Sequence, residues 1–226
     1  MCSRYALFST PDVVRSAFGL SSIETFPPRY NIAPGEPVAI VRPDHAGQPA
    51  FRLVLWGLHP SWSRKPPEKP HLFNARAETA ATRPAYRGAL RHRRCLIPAD
   101  SFYVWTGTGR ARSVHRFSPR VGGPMALAGL FEHWLGADGS ELETMAILTV
   151  AANATVQHFH PRMPAIIQPA AFARWLDCSA GDGLGLDDLL APAPDDLLQI
   201  SAANPALADP AREGVELLGP GDDRLL

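Results

Sequence analysis

The strongest constraint on this chain is a series of short apolar runs, each interrupted before it is long enough to make a stable helix. Val38–Val41, Phe51–Trp56, Arg94–Ile97, Phe102–Trp105, His115–Phe117, Met125–Phe131 and Thr144–Val150 are rich in Val, Ile, Leu and aromatics. That composition suits half-buried strands. The chain has 18 Gly and 23 Pro, and those between the runs supply turns while disfavouring helix interiors. Helical signals are fewer. Thr10 reads as an N-cap before Pro11, opening a helix to about Phe18. Arg83–Arg91 and Pro169–Asp177 are further candidates, the latter with Phe172, Trp175 and Leu176 on one side, and Asn153 caps a short turn reaching His158. A tail rich in Gly, Asp and Pro begins at Ala180, with one amphipathic turn at Leu186–Leu190. Strands do not alternate regularly with helices, so a βαβ architecture is disfavoured, and no internal repeat is visible. At 226 residues the expectation is a single α+β domain over 1–226, with a mainly β core and peripheral helices.

No apolar run approaches the ~20 residues of a membrane-spanning helix, and no apolar stretch of a secretory signal follows Met1-Cys2-Ser3-Arg4-Tyr5. Cys2, Cys95 and Cys178 are odd in number and far apart, which argues against a disulfide framework or structural zinc and fits a reducing cytoplasm. His158 and His160 are close enough to share a metal, but no third ligand accompanies them, so no metal site is expected. The zero net charge hides a polarity: residues 1–120 hold 18 Lys and Arg against 7 Asp and Glu, and the rest of the chain is acidic. Arg76, Arg83, Arg87, Arg91, Arg93 and Arg94 crowd one segment with a single acid, Glu78. This cluster is either a phosphate footprint or a solvated helix face.

Cys2 follows the initiator methionine. Removal of Met1, which a small second residue permits, leaves an amine and a thiol on adjacent carbons. Such a 1,2-aminothiol captures aldehydes: the amine condenses to a Schiff base and the thiol closes on it as a thiazolidine. The pKa values, ~7.7–8.0 for the amine and ~8.5 for the thiol, suit neutral pH, though efficient capture also needs a positioned acid/base. By itself, a cysteine at position 2 reads better as incidental.

Its company changes that reading. Met1-Cys2-Ser3-Arg4-Tyr5 is followed in order by Arg29-Tyr30-Asn31-Ile32-Ala33-Pro34-Gly35, Trp56-Gly57-Leu58-His59-Pro60-Ser61-Trp62 and Asn74-Ala75-Arg76-Ala77-Glu78-Thr79. Then come Arg94-Cys95-Leu96-Ile97-Pro98-Ala99-Asp100-Ser101-Phe102-Tyr103-Val104-Trp105, Ala128-Gly129-Leu130-Phe131-Glu132, Ile147-Leu148-Thr149 and His160-Pro161-Arg162-Met163-Pro164. In this order the segments resemble the SRAP family (SOS-response-associated peptidases), whose members shield abasic sites in single-stranded DNA by covalent capture. The resemblance is strongest over 1–168, with a weaker echo at Gln199–Asn204. It implies one barrel-like domain with a basic cleft, the acidic half lying away from DNA. It implies Cys2 as the crosslinking nucleophile, Asn74 as the residue that orients Cys2 and the sugar, and His160 as a proton-transfer group. Arg4 and Arg76 fall on positions that contact the DNA backbone, and Arg83 and Arg87 lie close to another. Trp62 resembles an aromatic that wedges against bases at the lesion, although Ser63 stands where a second tryptophan is common. Pro34, Thr149, Met163 and Pro164 are placed along the same cleft, with turn and packing roles as the alternative. Glu78 is a candidate partner for an arginine. No metal or organic cofactor is required, and the implied partner is single-stranded DNA with abasic sites, bound by a cytoplasmic monomer.

The pattern breaks at Val104. The family reads Gly-Phe-Tyr-Glu-Trp here, its glutamate being the acid/base beside the cysteine, whereas this chain reads Ser101-Phe102-Tyr103-Val104-Trp105. Glu132 and Asp100 are candidate replacements. Ser3 also stands where glycine is usual. Covalent capture at reduced efficiency is the first reading. A paralogue that binds single-stranded or junction DNA without capture is the alternative, and a peptidase confined to its own Met1 is a third.

Overall fold

The computed structural model describes residues 2–65, 72–109, 112–179 and 185–220; Met1 and residues 180–184, where the expected tail begins, lie outside them. The first half of the chain runs β1 (Tyr5–Leu7), α1 (Pro11–Ala17), β2 (Arg29–Ile32), β3 (Pro37–Pro43), β4 (Pro49–Trp56), β5 (Asn74–Arg76), α2 (Ala77–Ala80) and α3 (Pro84–His92). It continues with β6 (Arg94–Ala99), β7 (Ser101–Thr106), β8 (Ser113–Pro119), β9 (Met125–Leu135) and β10 (Glu141–Ala151). After these come α4 (Ala154–Gln157), β11 (Arg162–Pro164), β12 (Ile166–Ile167), α5 (Phe172–Leu176) and β13 (Leu198–Ala202).

Five strands close on themselves. Hydrogen bonding runs β10-β4-β3-β6-β9, and β9 pairs back onto β10. Closure removes the exposed edges of the five-stranded core. Most of its strands are buried on both faces, with Trp56, Leu96, Ile97, Leu130 and Met145 among the most deeply packed residues. β5 and β11 add to β10, and β12 adds to β9. A second, antiparallel sheet runs β13-β8-β7-β1-β2. One of its faces carries Phe102 stacked on Phe117 (5.2 Å) into the main core. Its other face carries Ala6, Tyr103 and Val114 into a smaller cluster with Leu207 and Leu217.

The α+β reading therefore holds, and all seven strand-like runs form strands, most of them longer than their apolar stretches. Thr10 caps α1 by accepting from the Val13 amide (3.4 Å), and Asn153 caps α4 by accepting from the Val156 amide (3.0 Å). The Pro169 segment starts as a 3₁₀ turn before α5.

One motif glycine has a steric role in closure. Gly129 on β9 faces Cys95 on β6 in register, and a Cβ there would lie 2.7 Å from both Cys95 Sγ and Ile97 Cδ1. Gly129→Ala should cost about 1–3 kcal/mol by overpacking, read as a lower chemical-denaturation midpoint with an unchanged slope. A midpoint equal to wild type would show that the barrel has slack at this seam.

Candidate active site and nucleic-acid interface

Cys2 lies just before β1, which runs between β2 and β7. The register Tyr5↔Phe102 and the Tyr103 amide donating to the Arg4 carbonyl (3.1 Å) tie this segment to the Phe102-Tyr103-Val104 motif. Asn74 fixes it from the other side: its Nδ2 donates to the Cys2 carbonyl at 2.6 Å. Asn74 is itself placed by β5, which pairs in parallel with Ile147–Thr149 of β10. The Tyr86 hydroxyl on α3 then donates to the Asn74 carbonyl (3.1 Å). The Cys2 thiol is buried, its Sγ 3.7 Å from the Arg4 carbonyl. Burial pushes its pKa up to about 12, because a thiolate is poorly solvated in an apolar site.

His160 follows α4. The Arg162 amide lies 2.9 Å from its Nδ1, and the Arg162 carbonyl 3.0 Å. The amide always carries its hydrogen, so Nδ1 is the acceptor and the ring proton belongs on Nε2. Partial burial lowers the pKa of His160, leaving the imidazole neutral near pH 7. Arg162 binds Glu78 through both guanidinium nitrogens (2.5 and 2.9 Å) and also donates to the Thr149 carbonyl. This fork ties β11 and β10 to α2, and it makes Glu78 the arginine partner the sequence suggested.

The arginine cluster divides. Arg94 is buried and not available to DNA: it donates to the carbonyls of Trp175 (2.6 Å), Leu90 (2.8 Å) and Asp177. Arg93 pairs with Glu132 (2.6 Å). Arg76, Arg83, Arg87 and Arg91 are exposed. Tyr86, Ala89 and Leu90 form the buried face of α3, which leaves Arg87 and Arg91 on its open side. There they line a cleft of about 410 Å³ with Trp62, Pro84 and Glu132. Trp62 is 68% exposed, which leaves its ring face open beside these arginines. A larger cavity of about 870 Å³ is lined by Phe18, Arg52, Phe131 and Phe172; neither it nor the Trp62 cleft is lined by Cys2, Asn74 or His160.

Several expected site residues sit differently. Thr149 and Met163 are buried, each committed within the protein: Thr149 Oγ1 donates to the Ala75 carbonyl (3.3 Å), and the Met163 sulfur accepts from the Asn153 amide (3.4 Å). They and the buried Pro164 hold register in the β5–β10–β11 corner rather than presenting atoms to a ligand. Pro34 is half-exposed beside Gly35, whose φ of +95° makes the turn. Arg4 is half-buried, its Nη1 donating to the Ser3 carbonyl (3.1 Å). Asp100 is no substitute acid/base: its carboxylate accepts from the Phe8 and Ser9 amides (both 2.6 Å) and the Ser9 hydroxyl (2.5 Å). Glu132 lies with Arg93 and Trp62. Val104 is buried in apolar surroundings. Among the described residues no group of His, Cys, Asp and Glu could hold a metal ion, and no helix is long and apolar enough to cross a membrane.

Known proteins resemble this chain over most of its length. A sequence model of the family described as SOS response associated peptidase (SRAP) matches residues 1–210, beyond the segment where the motifs are clearest. The chain belongs to the SRAP family. It is 31% identical over 222 residues to the abasic site processing protein YoqW of Bacillus subtilis, covering 96% of this chain and 99% of that one. It is 32% identical over 154 residues to the abasic site processing protein YedK of Escherichia coli, covering 66% of this chain and 64% of that one. A crystal structure of a Bacteroides thetaiotaomicron protein shares the fold with a TM-score of 0.84 at 20% identity, covering 97% of this chain and 100% of that one.

The three cysteines should differ in reactivity in the 226-residue chain. With its pKa near 12, only about one Cys2 thiol in 10⁴ is ionised at pH 8, and the thiolate is the nucleophile. Half-exposed Cys178 should therefore alkylate first with iodoacetamide, with buried Cys2 and Cys95 lagging. Peptide mass spectrometry over a time course would read this order.

Proposed function

We propose that this protein binds single-stranded DNA and captures abasic sites covalently through Cys2. The observation that carries the reading is the 2.6 Å hydrogen bond from Asn74 to the Cys2 carbonyl. It restrains the backbone of Cys2 at the one place in the chain where an aminothiol can arise. The relatives named as abasic site processing proteins support the substrate class.

The chemistry begins with hydrolysis of the Met1–Cys2 peptide bond, which frees the Cys2 amine. The amine attacks C1′ of the ring-opened deoxyribose, and the carbinolamine loses its hydroxyl as water to give an imine. Cys2 Sγ then bonds to C1′ while the thiol proton passes to the nitrogen, closing a thiazolidine. The capture itself, from amine and aldehyde to thiazolidine, releases one water. His160, neutral and oriented through Nδ1, serves proton transfer at the sugar oxygen. Arg76, Arg83 and Arg87 pair with phosphates, and Trp62 stacks on a base beside the lesion. Arg4, half-buried, acts closest to the captured residue.

Val104 supports a second reading, non-covalent binding. A valine cannot move a proton, and acid–base help is typically worth ~10²–10⁴-fold.

The full-length protein incubated with a single-stranded oligonucleotide bearing one abasic site should form a heat-stable adduct, absent in Cys2→Ala and slowed in Asn74→Ala. Absence of an adduct, with intact binding, would favour the second reading. Arg76→Ala and Arg87→Ala should each weaken binding and lower the salt slope by about 0.7 for each single-strand phosphate no longer neutralised. Unchanged slopes would place the footprint elsewhere.

A further inference from the structure

We infer that His115 supplies the proton transfer that Val104 cannot, as a catalytic residue of the covalent capture proposed above, on which this inference rests. The argument begins with register. In the antiparallel β7–β8 pair, Val104 is opposite His115 and Phe102 is opposite Phe117. Directly opposed residues share a face, with Cβ atoms ~4.5–5.5 Å apart. The stack of Phe102 on Phe117 (5.2 Å) shows which face that is. It is the face of the main core, whose cluster also contains Cys2 and Val104, whereas Tyr103 and Val114 turn the other way. His115 therefore stands at the level of Val104 and on the same face, one strand further from the Cys2 segment.

Its surroundings fit the task. The His115 ring packs against Phe159, centroids 4.5 Å apart, and His160 is the next residue. That contact joins β8 to the turn that carries His160. Thr106 Oγ1 lies 3.0 Å from His115 Nε2, which holds the ring plane. His115 is half-exposed, and its burial lowers its pKa, so the ring is neutral near pH 7 and able to accept a proton. Other titratable candidates are committed: Asp100 to Phe8 and Ser9, and Glu132 to Arg93. The Tyr5 hydroxyl is fully buried, and burial pushes its pKa far up.

In the reaction, the His115 imidazole takes the proton of the Cys2 thiol as the S–C1′ bond forms and the imine C=N π pair moves to nitrogen. The imidazolium then returns that proton to the same nitrogen, giving the thiazolidine amine. No other reactant is needed, and the ring ends neutral.

The test uses full-length protein whose loss of Met1 is verified by intact mass. Its readouts are the adduct rate with an abasic oligonucleotide and the affinity for a tetrahydrofuran analogue, which has no aldehyde. His115→Gln should slow adduct formation by about 10²-fold or more with unchanged analogue affinity. Added imidazole should restore His115→Ala, and a second substitution, Val104→Glu, should restore His115→Gln. A His115→Gln protein that reacts at the wild-type rate overturns the assignment. So does a slow variant that neither imidazole nor Val104→Glu rescues, because its role is then structural. A wild type that forms no adduct overturns covalent capture itself and this inference with it.

Discussion

Strand β10 is the constraint on which the rest of the molecule depends. It pairs antiparallel with β9 over seven residue pairs and antiparallel with β11, and in parallel with β4 and β5. Its first half closes the barrel, and its last residues hold the two segments that bear Asn74 and Met163. Thr149 lies between them, registered with Arg76 on one side and Pro164 on the other. Because side chains alternate along a strand, a one-residue slip of β5 would turn Asn74 away from Cys2. The position of Asn74 thus derives from barrel closure rather than from any local preference of its own three-residue strand.

Charge is sorted by the same architecture. The arginines from Arg76 to Arg94 include both an exposed set and a structural set, and packing separates them. α3 buries Tyr86, Ala89 and Leu90, so the helical repeat alone directs Arg87 and Arg91 outward. Arg94, at the start of β6, instead donates to carbonyls at the end of α3 and around α5. That use spends its hydrogen bonds inside the protein and leaves one fewer exposed cation. The acidic half is partly structural as well. Glu213 accepts from Arg29 (2.9 Å) and from the Tyr30 amide (2.8 Å), which holds the C-terminal segment against β2.

The strands are legible in the sequence because each apolar run is short and bounded by turn residues. The barrel is not, since closure depends on which strands meet, and the parallel pairings of β10 with β4 and β5 join segments about 70 to 90 residues apart in the chain. Short strands such as β1 and β5 carry too few residues to show an alternation, although they hold Cys2 and Asn74 in place. A motif marks positions that matter without separating ligand contact from support, which is why Thr149 and Met163 fall among the cleft residues by sequence and among the supports by structure. His115 is visible in the sequence only as the head of a strand-like run. Its spacing of two from Phe117 signals that it shares the core-facing side, but its meeting with Val104 requires the β7–β8 register.

Burial of Cys2 acts in two directions, and magnitudes decide between them. While Met1 is attached, a Cys2 pKa near 12 leaves a thiolate fraction of only about 10⁻⁴ to 10⁻⁵ near neutral pH, a severe handicap for a thiol attacking a substrate in solution. In the proposed reaction the thiol is not the first nucleophile. The amine forms the imine, and its ordinary pKa of ~7.7–8.0 leaves an adequate neutral fraction. Sγ then attacks a carbon two bonds beyond its own Cα, where effective molarities reach ~10⁵–10⁸ M. That advantage matches or exceeds the ionisation deficit. The step most exposed to the absence of a carboxylate at position 104 is therefore proton removal from Sγ during ring closure, the point at which a neutral imidazole on the neighbouring strand has the most effect.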